Sequence, residues 1–323
     1  MSPNTTSPVT GTDARPAVDA PLVVVGSVAY DSIQTPLGAR EDCLGGSGTF
    51  FSLAASSFTK PSVVAVVGED FKADDLELLA SHGIDLGGLE RSPGKTFRWG
   101  GKYHEDMNGR DTLFTALNVF ETFEPKLSPT QKNASFVFLG NIQPKLQDHV
   151  LEQTRSPRFV AADTMNLWIN AARADLCQVL RRVDCIFVND EEARMLTGKR
   201  SVLLAARAIQ ALGPEIVVIK RGEHGAILFN EKDTFYVPAY PLENVVDPTG
   251  AGDTFAGGFV GYLHATGDLG PANLRRAMVV GSLMASFCVE GYGVERLKHI
   301  DRQSIHDRYQ AFAELTRFAD LAL

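Results

Sequence analysis

The run Asn244-Val245-Val246-Asp247-Pro248-Thr249-Gly250-Ala251-Gly252-Asp253-Thr254-Phe255-Ala256-Gly257-Gly258-Phe259 passes from an extended lead through a loop of small residues into a helix. Gly250, Ala251 and Gly252 carry almost no side chain, so a ligand can come close to their backbone N–H groups. A small-residue loop at a helix N-terminus attracts anions, because its free donors and the helix dipole both favour negative charge. Asp253 falls in the first turn of that helix. A carboxylate aimed at an anion hole can take a proton from an attacking hydroxyl while the hole stabilises a transferring phosphoryl group. Taken alone, the same residues also fit a tight turn followed by a carboxylate that the helix dipole favours.

Outward from this loop, short apolar runs alternate with helical patterns. The runs are Leu22 to Gly26, Val63 to Val67, Phe136 to Leu139, Phe159 to Ala162, Cys185 to Val188 and Ile216 to Ile219. Each is the length of a strand buried on both faces. Between them, Asp74 to Ser81, Lys145 to Gln153, Ala171 to Arg182 and Val202 to Leu212 read as helices. Longer helices are predicted over 252–265, 272–289 and 302–321. The alternation implies an α/β fold, a doubly wound, mostly parallel sheet flanked by helices.

Residues 94–120 break that rhythm. Thr96-Phe97-Arg98-Trp99, Lys102-Tyr103 and Thr112-Leu113-Phe114-Thr115 alternate in polarity around a polar segment with Asn108-Gly109 at its turn. This predicts an antiparallel hairpin with one exposed face. With residues 28–42 it would form a small β-sheet lid over a site. Residues 1–20, rich in Pro, Ser, Thr and Asp, read as a disordered tail, and residues 21–323 as one α/β domain with a discontinuous lid.

Composition narrows the function. Of 323 residues, 39 are acidic and 31 are Lys or Arg, a net charge of -8. Nucleic acid is not the expected partner, since a phosphate backbone rewards a basic surface. No run approaches the ~20 apolar residues of a membrane span, and the N-terminal segment lacks the apolar middle of a secretion signal. The expectation is a cytoplasmic protein with no membrane partner. Cys43, Cys177, Cys185 and Cys288 show no zinc or disulfide spacing and read as free thiols.

The 244–259 stretch resembles the second signature of the ribokinase-like (PfkB) family of carbohydrate and nucleoside kinases, Asp-Thr-x-Gly-Ala-Gly-Asp, with Pro248 where that family has Thr. The resemblance covers most of the chain from Leu22 onward. It implies the ribokinase-like fold, ATP and Mg2+ as cofactors, Asp253 as general base, and Gly250, Ala251 and Gly252 as the anion hole. Asp31 matches an Asp that binds substrate hydroxyls, and Gly45-Gly46-Ser47-Gly48 resembles the first signature. Asn189-Asp190-Glu191-Glu192 matches the Asn-x-x-Glu element, whose Glu192 would hold magnesium through water. An N-cap with acidic residues behind it reads the same way. Lys220, Gly222 and Gly225 resemble the turn beside the nucleotide, with Val67 to Phe71 a structural turn and His224 a surface residue. Gly293 lies where the family closes over adenine, and Asp247 with Thr249 would share a monovalent cation, K+.

The substrate side departs from the sugar kinases, which carry Lys and Asn after the glycine pair, where this chain has Ser47 and Phe50. An aromatic there removes a hydroxyl contact and offers a stacking surface. Phe97, Trp99 and Tyr103 in the lid either cover a base or sugar face or pack the lid. Asn141 and the turn Asp163 to Asn166 end strands, where open α/β sheets bind ligands. The expected activity is ATP-dependent phosphorylation of a hydroxyl, most simply a primary one, on a nucleoside such as adenosine or on a ribose-like sugar. The alternatives are a cyclitol or other sugar kinase, and a non-catalytic binding protein on the same fold. A dehydrogenase would need a glycine cluster after Val25, and Gly26-Ser27-Val28-Ala29 has none. The lid edge also suggests a homodimer.

Overall fold

The computed structural model describes residues 20–231 and 233–319. The tail expected over 1–20 therefore lies, but for Ala20, outside the described residues. In chain order the strands are β1 (Leu22–Val25), β2 (Ala29–Thr35), β3 (Gly38–Gly45), β4 (Pro61–Val67), β5 (Asp85–Arg91), β6 (Phe97–Tyr103), β7 (Arg110–Ala116), β8 (Phe136–Leu139), β9 (Phe159–Asp163), β10 (Cys185–Asn189), β11 (Ile216–Lys220), β12 (Ala226–Phe229) and β13 (Thr234–Val237). The α-helices are α1 (Ser47–Ser56), α2 (Ala73–Ser81), α3 (Pro144–Gln153), α4 (Asn166–Ala171), α5 (Arg173–Leu180), α6 (Asp190–Thr197), α7 (Val202–Gln210), α8 (Ala251–Thr266), α9 (Pro271–Cys288) and α10 (Arg302–Leu315).

Nine strands form the main sheet in the order β13-β12-β11-β10-β9-β8-β1-β4-β5. From β5 to β11 every pairing is parallel, and β12 and β13 close the far edge antiparallel. Alternate side chains of one strand enter opposite layers. Leu22 and Val24 of β1 join the layer built with α1, α8 and α9, whereas Val23 and Val25 join the layer of α3, α5, α6 and α7. With both faces covered, β1, β4 and β8 are buried throughout, which is why they read as unbroken apolar runs. Burying one such Val or Phe side chain contributes roughly 1.5–3 kcal/mol. No helix among the described residues is long and apolar enough to cross a membrane.

The unforeseen strands are those without such a run. The edge strand β5 is only partly buried, and β12 and β13 form a hairpin of four-residue strands. The helix expected over 171–182 is α5, and a short helix not foreseen, α4, precedes it across a break at Ala172, whose φ is -137°. The last helix ends at Leu315 rather than at 321, a position outside the described residues.

A second sheet has the order β3-β2-β6-β7. Strands β6 and β7 form the expected antiparallel hairpin, but β6 runs parallel to β2, and β3 was not foreseen as a strand. Nor is the β6–β7 connection an Asn-Gly turn. Met107 takes the left-handed conformation (φ 56°), and the Asp106 carboxylate accepts from the backbone N–H groups of Asn108 and Gly109. Asp106 thus supplies the acceptors that a two-residue turn would find in its own backbone.

Candidate active site

In the main sheet β1 is flanked by β4 on one side and β8 on the other, so chain order runs outward in both directions from it. Ligands of open α/β sheets bind at such a switch point, beyond the carboxyl ends of the strands. Those ends here carry Asn141, Asp163, Asn189 and Lys220, after β8, β9, β10 and β11 respectively.

Gly250 caps α8 in the left-handed conformation (φ 75°), and a Cβ there would run into the ring of Phe50. Both constraints favour glycine. The Ala251 N–H donates to the Pro248 carbonyl, and the Thr254 N–H to Gly250. The first-turn amides of Gly252 and Asp253 have no helical carbonyl to meet, the ordinary condition of a helix start. Of the three residues expected to form an anion hole, Ala251 has its amide occupied by the Pro248 carbonyl. Burial pushes the Asp253 carboxyl up to about 7, helped by the charge of Asp163 and opposed by Lys220 and Arg110.

Lys220 lies directly over this loop. Its Nζ stands 2.8 Å from where a Gly252 Cβ would be, and it donates to Asp163 Oδ2 at 2.7 Å. Burial favours the neutral amine, but the charges of Asp163 and Glu192 and the Asp163 hydrogen bond outweigh it and raise the Lys220 pKa. Asn189 and Glu192 form a capping box. Asn189 N–H donates to Glu192 Oε2 and Glu192 N–H to Asn189 Oδ1, both at 2.7 Å. The helix-capping reading of this element therefore holds, and it leaves Glu192 Oε1 outside the box. Burial and the Asp163 charge push Glu192 up to about 7. Glu192 offers an oxygen of the kind that a hard, hydrated metal such as magnesium would take through water, while no cluster of three or more His, Cys, Asp or Glu placed to hold a metal directly stands among the described residues.

The Asp31 carboxyl is buried, and burial followed by the Asp247 and Asp253 charges pushes it up to about 7, against a hydrogen bond from the Gly46 amide. A Cβ on Gly45 would overlap this carboxylate, so glycine is required there, while Gly46 caps α1 at φ 93°. Ser47 is engaged by Ser27. Its hydroxyl accepts from Ser27 N–H at 3.1 Å and its N–H donates to the Ser27 hydroxyl at 3.0 Å, a reciprocal clamp between β1 and α1. Phe50 is 1% exposed and packs under Gly250, so it offers no stacking surface to a substrate. Phe97 stacks on Phe120, and Trp99 lies under the Arg110 guanidinium, while both rings remain partly exposed.

Asp247 is fully buried, with Oδ1 accepting from Thr249 N–H at 2.8 Å and Oδ2 from Gly293 N–H at 3.0 Å. Burial still raises its pKa against those two bonds. Asp247 and Thr249 are thus brought together with Gly293, which is distant in sequence. Gly222 and Gly225 both adopt positive φ in the turn after β11, and Asn108 of the β6–β7 loop reaches Gly222 and donates to Glu223. His224 is exposed, and Asp70 in the Val67–Phe71 turn accepts from Thr96 and Arg98, a structural role.

Arg110 and Trp168 escaped the sequence reading, and Tyr103 is expected there only as a lid aromatic. Arg110 opens β7 and its charge reaches Asp31, Glu192 and Asp253, although nothing local to the hairpin marks it. The Tyr103 hydroxyl meets the Thr249 hydroxyl at 3.0 Å. The Trp168 indole N–H donates to Asn141 Oδ1 at 2.9 Å, while Asn141 Nδ2 contacts Met165 Sδ. Each depends on tertiary neighbours.

Residues 20–299 match the profile described as pfkB family carbohydrate kinase. A cytidine kinase of Thermococcus kodakarensis is 33% identical over 249 residues, 75% of this chain and 88% of that protein. A nucleoside kinase of Methanothermobacter thermautotrophicus is 27% identical over 296 residues, 86% of this chain and 92% of that protein. The structure of Burkholderia thailandensis nucleoside kinase in complex with inosine superposes with a TM-score of 0.74 at 20% identity, covering 90% of this chain and 97% of the other.

Proposed function

This chain belongs to the pfkB family of carbohydrate kinases, and from that premise we propose that it transfers the terminal phosphoryl group of ATP to a hydroxyl of a nucleoside. The observation that carries the reading is Asp253 in the first turn of α8, beside the small-residue helix start at Gly252 and with the Lys220 ammonium over the same loop. A base, an anion hole and a cation converge there, as phosphoryl transfer requires. The names of two relatives, a cytidine kinase and a nucleoside kinase, support a nucleoside as acceptor. Phe50, buried under the loop, does not bear on the choice.

In the proposed reaction Asp253 accepts the proton of the acceptor hydroxyl as its oxygen bonds to the terminal phosphorus. The bond from that phosphorus to the bridging oxygen breaks, and ADP leaves. Asp31 holds the acceptor's other hydroxyls. Glu192 would hold magnesium through water, and magnesium, when bound, screens the phosphate charge. Asp247 with Thr249 and Gly293 would place K+ beside the loop. The small sheet serves as a lid that excludes competing water. Its edge strand β7 leaves Leu113 and Phe114 exposed, which supports pairing of two copies, to be checked by light scattering at assay concentration.

The test is ADP release from MgATP with separate pools of nucleosides, pentoses, hexoses and cyclitols. Release with the nucleoside pool supports the reading. Release with another pool keeps the kinase and replaces the acceptor. Silence with every pool, together with ATP binding, favours a non-catalytic protein.

A further inference from the structure

The pairing of Asp163 with Lys220 goes beyond an ion pair that holds two strands together. Asp163 ends β9, and its side chain is 6% exposed. Its two carboxylate oxygens have separate partners: Oδ1 accepts from Thr164 N–H at 2.8 Å, and Oδ2 from Lys220 Nζ at 2.7 Å. The backbone beneath is braced as well. Gln147 Nε2 donates to the Asp163 carbonyl at 3.0 Å and to the Gly140 carbonyl at 2.9 Å, tying the ends of β9 and β8. Asp163 is thus a rigid bracket, and the lysine it holds is a long, flexible side chain.

Lysine has three N–H donors, and one goes to Asp163. The ammonium points at Gly252, where any side chain would collide with it. Two further carboxylates compete for it, since the Glu192 and Asp253 charges both act on Lys220. Left unheld, the ammonium would be drawn onto Asp253 and would cover the base. A buried ion pair is weak evidence for stability, because desolvation offsets most of its attraction. What this one supplies is the direction of the ammonium.

Resting on the kinase reading above, we propose that Asp163 is a positioning residue that keeps the Lys220 ammonium off Asp253 and aims its remaining donors at the terminal phosphoryl group of ATP above Gly252. ADP lacks that group, so the pair discriminates ATP from ADP. This can be read without turnover.

The experiment is calorimetric titration of wild type, Asp163→Asn, Lys220→Met and the double variant with MgATP and with MgADP, paired with kcat where an acceptor is turned over. Each single variant should weaken MgATP binding about ten- to a hundredfold, as for loss of a hydrogen bond to a charged group, and leave MgADP unchanged. The double variant, in which the buried pair is neutralised and the fold kept, should be no worse than Lys220→Met, because Asp163 acts through Lys220. Equal loss of MgATP and MgADP, or no loss of either, would overturn the proposal. So would additive losses in the double variant, which would mean that Asp163 acts on its own. If wild type turns over no acceptor yet shows the ATP-selective loss, the kinase reading fails and the positioning role stands.

Discussion

The hydroxyl of Tyr103, at the end of β6, lies 3.0 Å from the hydroxyl of Thr249, in the loop that opens α8. Thr249 N–H in turn donates to Asp247, whose other oxygen accepts from Gly293. Three hydrogen bonds therefore link the small sheet, the anion loop and the segment after α9. Burial pushes the Tyr103 phenol up to about 12, so it stays protonated as a hydroxyl partner.

Tyr103→Phe removes this one link and keeps the ring. A neutral hydrogen bond contributes ~1 kcal/mol, so the acceptor KM should rise about fivefold with kcat nearly unchanged. Initial-rate kinetics over an acceptor series test this. A fall in kcat at constant KM would mean that Tyr103 acts on the chemistry rather than on closure.

Asp253→Asn should lower kcat by about 10²–10⁴ while MgATP still binds, since a general base is lost and the anion loop remains. In the wild type the base works only when ionised. With its pKa pushed up to about 7, kcat/KM should climb as pH rises toward 7 and level off above it. A flat profile from pH 5 to 8 would remove Asp253 from the role.

The buried carboxyls tie stability to pH in the opposite sense. Asp31, Glu192 and Asp253 are all pushed up to about 7, mainly by burial, whereas in the unfolded chain they titrate near 4. Below about pH 4 both states hold these protons and nothing is lost. Between about 4 and 7 the unfolded chain releases them first, so the contribution of these groups to stability falls as pH rises and stays low above 7. Asp31→Asn should therefore raise the melting temperature at pH 8 and leave it nearly unchanged at pH 4. A pH-independent difference in melting temperature would argue against a protonated Asp31 in the apoprotein.

Gly250→Ala puts a methyl group against the Phe50 ring at a positive φ. Overpacking and backbone strain together should destabilise the fold by roughly 1–3 kcal/mol and displace the amides. Phe50→Leu, combined with it, should recover part of the stability by opening the space. If Phe50→Leu alone changed the choice among nucleosides without changing stability, the ring would belong to the substrate after all.

The departures from the sequence reading share a cause. Ser47 and Phe50 follow a glycine pair at a helix start, so by sequence they face the cleft. In the fold, the Ser27 hydroxyl and the Gly250 backbone reach them first. Phe97 alternates correctly for a half-exposed strand, yet Phe120 covers it from outside the hairpin. The Asn108-Gly109 turn yields to Asp106, whose side chain reorganises the whole loop.

The sequence by itself determined the strands buried on both faces, because such a segment must be apolar throughout, as Val63 to Val67 is. It also determined the small-residue loop that opens α8, because Gly250 takes a positive φ that favours glycine. Both are local constraints. Only the tertiary structure decided that Asp163, Glu192, Lys220 and Asp253, carried by four separate elements, share one buried space. Charge states depend on distance and on exclusion of water, and neither is written into the spacing of residues along a chain.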